Sequence, residues 1–382
     1  MLSTVEWEEI RERVAPAAKT AERDLEWTRT RRRLTADIAD SLVEAGFARH
    51  FVPRRWEGAA GTFTALLTSV RVVAESCAST AWCAALYASN ARLAAYLPEE
   101  GQRELWADGP DVRIAAAVVP ARGEAVRDGL GWRLTGAWPS VSGVDHAAWV
   151  LMGGWAEGPD GDREHRVFAV PRGRVRVVDT WRTMGMRGTG SNTVEAEGVF
   201  VPAGHTAPLA ALLAPLPGGA RCHTVPYPMI AGLVFAAPLL GAARGAQQAW
   251  LERTAGARDG AGVPVREKEG VRAVLARSSG EIAAAQLLLE RVAERADRTG
   301  ESGVTVGECR RDTALAAELC ASAVDRLMRA SGLGAAAEDD PLQRRWHDVV
   351  VGAGHATLAF EQAASAYGQA VFASPWAHGE AG

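Results

Sequence analysis

The stretch WRTMGMRGTGSN, residues 181–192, gathers groups that could hold a polar ligand. Besides a tryptophan and two arginines, it has three glycines and four side chains that carry a hydroxyl or an amide. Glycines such as Gly185 and Gly188 would let a ligand approach backbone N–H groups closely, and Thr189 and Ser191 would add short hydroxyls. The same glycines could also serve only as turns, because segments with the alternation of strands lie on both sides.

A second chemical candidate is His355, which lies in the segment VVVGAGHATLAFEQ. An imidazole titrates near neutral pH and can therefore move a proton or donate a hydrogen bond. The alternative is a buried histidine that only bonds a backbone carbonyl. Glu361, the nearest carboxylate, is six residues further on, which in a regular helix is about 240° around the axis. We therefore do not expect His355 and Glu361 to face one site.

Several common catalytic motifs are missing from the sequence. No GxGxxG lies between a strand and a helix, and GLGAAAE, residues 332–338, follows a helix instead. No HExxH, zinc-type Cys/His spacing or GxSxG occurs either. The sequence therefore supports neither NAD(P)H binding of the usual kind, nor a metal site, nor nucleophilic hydrolysis.

Composition favours a soluble, cytoplasmic protein. The 382 residues have a net charge of −4, so no nucleic-acid partner is expected. Five cysteines without a CxxC pair fit a reducing cytoplasm better than a disulfide framework. The acidic start MLSTVEWEEI lacks the basic and apolar regions of a signal peptide, which predicts that none is present.

Hydrophobic periodicity divides the chain into three parts. Residues 1–110 show helical spacing, 111–205 show short alternating segments rich in β-formers, and 206–382 are rich in alanine with helical spacing again. The pattern predicts an α+β protein that is predominantly α: an N-terminal helical domain, a central small β-barrel or sandwich, and a C-terminal four-helix bundle. The four predicted bundle helices are 229–257, 267–298, 306–332 and 342–372.

One apolar stretch could in principle cross a membrane. No fixed charge occurs between Arg221 and Arg244, and VPYPMIAGLVFAAPLLGAA is long enough to span a bilayer. It holds three prolines and much alanine and glycine, however, and a bundle helix buried on all sides gives the same pattern. We therefore predict a buried helix and no membrane partner.

Five motifs in order resemble the acyl-CoA dehydrogenase superfamily, and within it the two-component flavin-dependent monooxygenases. The resemblance covers nearly the whole chain, and its most specific part is WRTMGMRGTGSNTVEAEGVFVP. The other motifs are FVPRRWEGAAG, ASTAWCAALYASNARLAAYLPEEGQRELW, LTGAWPSVSGVDHAAWVLMGG and DPLQRRWHDVVVGAGHATLAFEQAASAYG.

The resemblance implies a flavin site and assigns residues to it. The implied flavin contacts are Trp138, Ser142, Trp181, Arg187, Gly188, Thr189, Ser191, Arg258, Gln343 and Asp348. Arg258 resembles an arginine that relatives send across a subunit boundary, and the loop before Gln343 resembles one that reaches a neighbour's cofactor. His355 and Ser142 are the implied catalytic residues, with His355 as acid or base and as a substrate contact.

Asn90 stands where several relatives carry a histidine, and it is a second implied substrate contact. An amide can exchange hydrogen bonds but cannot shuttle a proton. This departure weakens the transfer of an aromatic-hydroxylase mechanism that relies on the early histidine. The alternative for Asn90 is a polar residue on the surface of a helix.

The implied activity is that of an oxygenase component. Reduced flavin, FMNH₂ more than FADH₂, would react with O₂ to give a C4a-hydroperoxide that oxygenates a small aromatic or amine-bearing substrate. A separate NAD(P)H-dependent reductase would supply the flavin, and the family habit implies a homotetramer. Two alternatives stay open: an acyl-CoA dehydrogenase or oxidase with bound FAD, although its usual Tyr-Glu-Gly-Thr-like stretch is absent, and a ligand-binding member without catalysis.

Overall fold

The computed structural model describes residues 4–158, 161–298 and 303–373. Helices precede the sheet, and hydroxyl caps begin two of them: Thr35 Oγ1 accepts from the N–H of Ile38, and Thr62 Oγ1 from that of Ala65. These helices are α1 (Thr4–Arg23), α2 (Leu25–Arg31), α3 (Ala36–Glu44), α4 (Phe63–Ser76), α5 (Ala78–Ala94) and α6 (Glu99–Leu105). Cys77, which has an extended backbone, separates α4 from α5.

An eight-stranded mixed sheet follows the first helices. Seven strands lie in the order β6-β7-β3-β2-β4-β5-β8, and β1 pairs in parallel with β4. The strands are β1 (Ile114–Ala117), β2 (Gly123–Asp128), β3 (Gly131–Val141), β4 (Trp149–Glu157), β5 (Arg163–Pro171), β6 (Arg176–Val178), β7 (Asn192–Pro202) and β8 (Thr206–Pro208). Seven of the eight strands lie within residues 111–205, where the sequence predicted short strands, and β8 lies just beyond this range.

The sheet has two apolar faces. One encloses a core of its own that includes Trp132, Trp138 and Phe168. The other packs on α5 and α6 through side chains such as Leu151 and Trp106. Because both faces are covered, β4 reads as a nearly continuous apolar run and not as a strict alternation.

The C-terminal part is helical again, with α9, α10 and α11 as its long helices. Its helices are α7 (Leu209–Leu213), α8 (Arg221–Thr224), α9 (Tyr227–Ala255), α10 (Glu269–Asp297), α11 (Gly303–Ala330), α12 (Pro341–Ala353) and α13 (Phe360–Phe372). The predicted α+β class with predominant helix is confirmed. The predicted helix 342–372 is wrong in one respect, since it is interrupted between α12 and α13.

Helix α9 is the apolar stretch considered above as a possible membrane span. By length and composition alone it could cross a bilayer, but 83% of its apolar window is buried inside the protein. It packs against α4, α5, α10, α11 and α12. Close contact with α4 needs Gly241, because a Cβ there would lie 2.4 Å from the carbonyl oxygen of Arg71. The prediction of a buried helix is thus confirmed.

Candidate active site

A cavity of about 370 Å³ lies where the sheet, α5, α9 and the end of α12 meet. This volume is within the range of about 300–1,000 Å³ that is common for small-molecule sites. Its walls carry three aromatic side chains, four hydroxyls and one imidazole, while no carboxylate lines it among the described residues. These side chains are Trp82, Trp181, Phe235, Ser140, Ser142, Thr189, Ser191 and His355.

A continuous chain of hydrogen bonds forms one wall of the cavity. The indole Nε1 of Trp82 donates to Ser142 Oγ (3.2 Å), which lies 2.7 Å from Ser191 Oγ. Ser191 Oγ lies 2.6 Å from Thr189 Oγ1, and Thr189 Oγ1 donates to the carbonyl oxygen of Met186 (2.8 Å). All three hydroxyl-bearing residues are buried, at 8%, 4% and 1% exposure. The structure therefore brings together Ser142, Thr189 and Ser191, which the sequence had proposed from two separate motifs.

His355 occupies the break between α12 and α13. Its Nδ1 accepts the N–H of Thr357 (3.2 Å) and so caps the short turn Ala356–Leu358. A neutral imidazole whose Nδ1 accepts must carry its proton on Nε2. The ring stacks on Phe235 (centroids 3.8 Å apart) and meets the edge of Trp82 (5.7 Å).

Burial among these rings lowers the pKa of His355 to about 4. The imidazole is therefore neutral at physiological pH, and its Nε2–H can donate a hydrogen bond to a ligand. The lowered pKa favours a hydrogen-bond donor over an acid or base that titrates near neutrality, and the catalytic role of His355 stays a prediction. Residues 356–358 form a turn between α12 and α13, so His355 and Glu361 do not lie on one regular helix and the angle of 240° does not apply to them. Glu361 is exposed in the first turn of α13.

The charge state of His355 leads to a stability prediction. Its pKa is about 6.5 in an unfolded chain and about 4 in the fold, so below pH 6.5 the unfolded chain binds a proton that the folded chain does not. The stabilisation is complete above pH 6.5 and is lost as the pH falls toward 4. We expect urea unfolding to show wild type losing stability relative to His355→Gln between about pH 7.5 and about pH 5. A difference that stays constant over this range would contradict the assignment.

Ser140, Trp82 and Phe235 line the cavity but were not singled out from the sequence. Ser140 has φ +62, which is unusual for a residue with a side chain, and it lies at an irregularity in the pairing of β3 with β7. Strained backbone of this kind is common at functional sites. Its signal in the sequence was the PSVSG segment, in which only the second serine matched the resemblance.

The glycines of residues 181–192 serve the packing of the protein itself. A Cβ at Gly185 would lie 2.1 Å from the carbonyl oxygen of His347 on α12, and one at Gly188 would lie 2.3 Å from Thr28 Cγ2 on α2. Arg187 likewise points away from the cavity and donates to the carbonyl oxygen of Arg29 (3.0 Å). Arg187 and Gly188 therefore lie against α2 and not against the cavity, and their expected contacts with flavin stay predictions.

Trp138 and Asn90 also lie outside the cavity. Trp138 is fully buried in the core of the sheet, where its Nε1 donates to the carbonyl oxygen of Gly153 (2.7 Å). Trp181 is the predicted aromatic wall that does line the cavity. Asn90 is 4% exposed and donates to the carbonyl oxygen of Ile114 (2.8 Å), so it ties α5 to β1. The alternative of a position on the helix surface is therefore wrong, and the expected substrate contact stays a prediction.

Asp348 supports the cavity from behind. Its carboxylate accepts the N–H of Met186, which has φ +52. The carbonyl oxygen of Met186 is the last acceptor of the hydrogen-bond chain through Ser142, Ser191 and Thr189, called the hydroxyl chain below. Burial raises the pKa of Asp348 to about 6, although the hydrogen bond from the N–H of Met186 and nearby Arg345 oppose the rise. Asp348 thus holds the loop and is not among the residues that line the cavity.

Two predicted flavin contacts lie elsewhere on the chain. Gln343, in the first turn of α12, donates to the carbonyl oxygen of Ala336 (3.2 Å). Arg258, in the exposed loop after α9, donates to the carbonyl oxygen of Gly262 (2.6 Å). Both were expected to reach a flavin shared between subunits, and both stay predictions.

Comparison with known proteins gives consistent matches over most of the length. Residues 233–360 match the family "Acyl-CoA dehydrogenase, C-terminal domain". The flavin-dependent monooxygenase oxygenase subunit HsaA of Rhodococcus jostii (strain RHA1) is 32% identical over 362 residues, which cover 90% of this chain and 93% of that protein.

One further relative is named for its flavin, and one solved structure contains a flavin. The FADH(2)-dependent resorcinol hydroxylase, oxygenase component, of Rhizobium sp. (strain MTP-10005) is 27% identical over 94% of this chain and 93% of its own. The structure of XiaF from Streptomyces sp. in complex with FADH2 and glycerol superposes with a TM-score of 0.88 at 26% identity, over 96% of this chain and 95% of that one.

Proposed function

The chain belongs to the family of flavin-dependent monooxygenase oxygenase subunits, and from that premise we propose that it oxygenates a small aromatic compound in the cavity beside His355. It is the oxygenase component of a two-component enzyme, which uses reduced flavin and O₂ and depends on a separate reductase. The observation that carries the proposed substrate class is the stacked pair of His355 and Phe235 with Trp82 at its edge. Flat aromatic walls suit a planar ring.

The residues present fit a flavin ring. An isoalloxazine has apolar faces and an edge of carbonyl and nitrogen atoms, and the cavity offers aromatic walls and a row of buried hydroxyls. Trp181, Ser142, Thr189 and Ser191 are the residues that would hold it. When bound, reduced flavin supplies the electrons that activate dioxygen.

The protein's own residues would orient the substrate and donate a hydrogen bond to it. Nε2–H of His355 would donate a hydrogen bond to an oxygen atom of the substrate or to developing negative charge near it. The aromatic walls exclude water, which strengthens such a bond. Ser142 would accept a hydrogen bond from the cofactor or the substrate, and Asp348 keeps the loop in place through Met186. An acyl-CoA dehydrogenase would need a carboxylate base, and none of the described lining residues supplies one.

We also propose which flavin the enzyme uses, where it is located and how it assembles. We favour FADH₂ over FMNH₂, because one relative is named FADH(2)-dependent and another was solved with FADH2. We place the enzyme in the cytoplasm and propose a homotetramer, in which Arg258 and Gln343 reach a neighbour's flavin. The exposed Leu287 on α10 (67%) and Leu333 (93%) supply apolar surface for such contacts. A monomeric mass in light scattering would contradict this assembly.

The decisive experiment measures oxygen insertion directly. Reduced FAD, prepared anaerobically, is mixed with the protein, ¹⁸O₂ and a panel of phenols, indoles, aryl amines and aliphatic amines of similar size. We expect one ¹⁸O atom in an aromatic product, with flavin oxidation matched by product. Oxygenation confined to the aliphatic amines would overturn the aromatic substrate class, and bleaching of bound FAD by acyl-CoA without O₂ would favour a dehydrogenase.

A further inference from the structure

The hydroxyl chain contains as many protons as it has contacts. Four close contacts join Trp82, Ser142, Ser191, Thr189 and the carbonyl of Met186. Each contact needs one proton, because two bare oxygen atoms at 2.6–2.8 Å repel each other. The available protons are one indole N–H and three hydroxyl O–H groups, so none is left over.

The carbonyl at one end sets the direction of every bond. Met186 O can only accept, so Thr189 must donate to it. Ser191 must then donate to Thr189, and Ser142 must donate to Ser191. Trp82 N–H, which can only donate, completes the chain at Ser142. Every hydroxyl proton is therefore used in a hydrogen bond within the protein. The oxygen atoms of Ser142, Ser191 and Thr189 can offer only lone pairs to a ligand.

A wall of lone pairs distinguishes the two redox states of a flavin. In oxidised flavin N1 and N5 are bare acceptors, whereas reduction adds a proton to N5 and turns that position into a donor. An acceptor facing an acceptor leaves both unsatisfied in a buried site, at a cost of about 1–3 kcal/mol per group. A flavin whose N5 faced this wall would therefore be satisfied in its reduced form and unsatisfied in its oxidised form.

We propose that Thr189 and Ser191, through the carbonyl of Met186, set the direction of this chain and thereby make the cavity select reduced over oxidised flavin. This inference rests on the proposed flavin site and adds to it the residues that give redox selectivity. They are specificity-determining residues, and the assignment concerns binding and not the oxygenation step.

The test uses variants in which one hydroxyl proton of the chain loses its acceptor within the protein. Thr189→Val removes the hydroxyl that commits the proton of Ser191, and Ser191→Ala removes the acceptor of the proton of Ser142. In each variant one hydroxyl becomes free to donate to a ligand. We expect the ratio of the dissociation constants of oxidised and reduced FAD to fall about tenfold in both.

Trp82→Phe is the matched control on the same chain. It deletes a donor and its contact together, so the remaining three contacts still use all three hydroxyl protons. The ratio is therefore expected to stay at the wild-type value, although both affinities can change together. The two constants are measured by anaerobic and aerobic titration of flavin fluorescence, with circular dichroism to verify folding.

The outcomes separate this inference from the proposed function. If wild type binds reduced FAD and forms product, but neither Thr189→Val nor Ser191→Ala changes the ratio, the inference is wrong and the function stands. If Trp82→Phe lowers the ratio as much as they do, the direction of the chain is not its cause. If wild type binds neither form of FAD, the proposed flavin site itself fails.

Discussion

The His355→Ala variant is expected to form product about 100-fold more slowly than wild type, while reduced flavin still binds. The variant loses the only group that we assign as a donor beside the substrate, and removal of one such donor in a buried site costs about 10²–10³ in rate. The reduced flavin should then be oxidised without oxygen transfer. Product and hydrogen peroxide, each measured per flavin consumed, report this uncoupling.

His355→Gln is the matched variant for the proposed role. Glutamine carries an amide N–H at a similar distance from the backbone as Nε2 of histidine but has no imidazole to titrate. If His355 acts as a donor, this variant should retain most of the activity, to within about tenfold. If it acts as an acid or base, the two variants should fail alike. Wild-type turnover by His355→Ala would remove His355 from the catalytic assignment altogether.

Gly185→Ala is expected to destabilise the protein by about 3 kcal/mol, because overpacking against backbone cannot be relieved by a rotamer change. The new Cβ would lie 2.1 Å from the carbonyl oxygen of His347 and 2.7 Å from the N–H nitrogen of Asp348. The loop must therefore move away from α12, which breaks the hydrogen bond between Met186 and Asp348. Urea unfolding measures the loss of stability, and flavin titration measures the damage to the cavity.

Gly173→Ala provides the control for this substitution. Nothing lies within 4 Å of a Cβ at Gly173, and the residue does not need a positive φ. Its stability is expected to differ from wild type by no more than about 0.5 kcal/mol. Equal stability of the Gly185→Ala and Gly173→Ala proteins would show that the loop accommodates a side chain, contrary to the packing described here.

The fold followed from the sequence because its signals are local and repeated. Helical spacing, alternation and turn residues gave the order of helices and strands, and a long uncharged stretch gave the buried α9. Signals that depend on one residue were weaker. The break at His355 was missed, because Gly354 and a histidine do not by themselves end a helix, whereas the capping contact to Thr357 that ends this one exists only in the folded turn.

Only part of the candidate site could be predicted from the sequence. Ser142, Thr189, Ser191, Trp181 and His355 were named in advance and do line one cavity. Asn90, Trp138, Arg187, Gly188 and Asp348 were named as well. Four of them make hydrogen bonds within the protein, and Gly188 packs closely against Thr28. A polar or aromatic side chain in a matching motif can point to either side of its strand or loop, and the motif does not say which.

The sequence by itself determined the class of the fold, the membership of a flavin-dependent family and the loop that would matter. The tertiary structure decided which side chains of that loop face the cavity, that Trp82 and Phe235 join them, and that burial lowers the pKa of His355. The physical reason is that these properties arise from contacts between distant segments. The pKa of an imidazole and the direction of a hydroxyl chain depend on neighbours that lie far away along the chain and meet only when α5, α9 and α12 pack against the sheet.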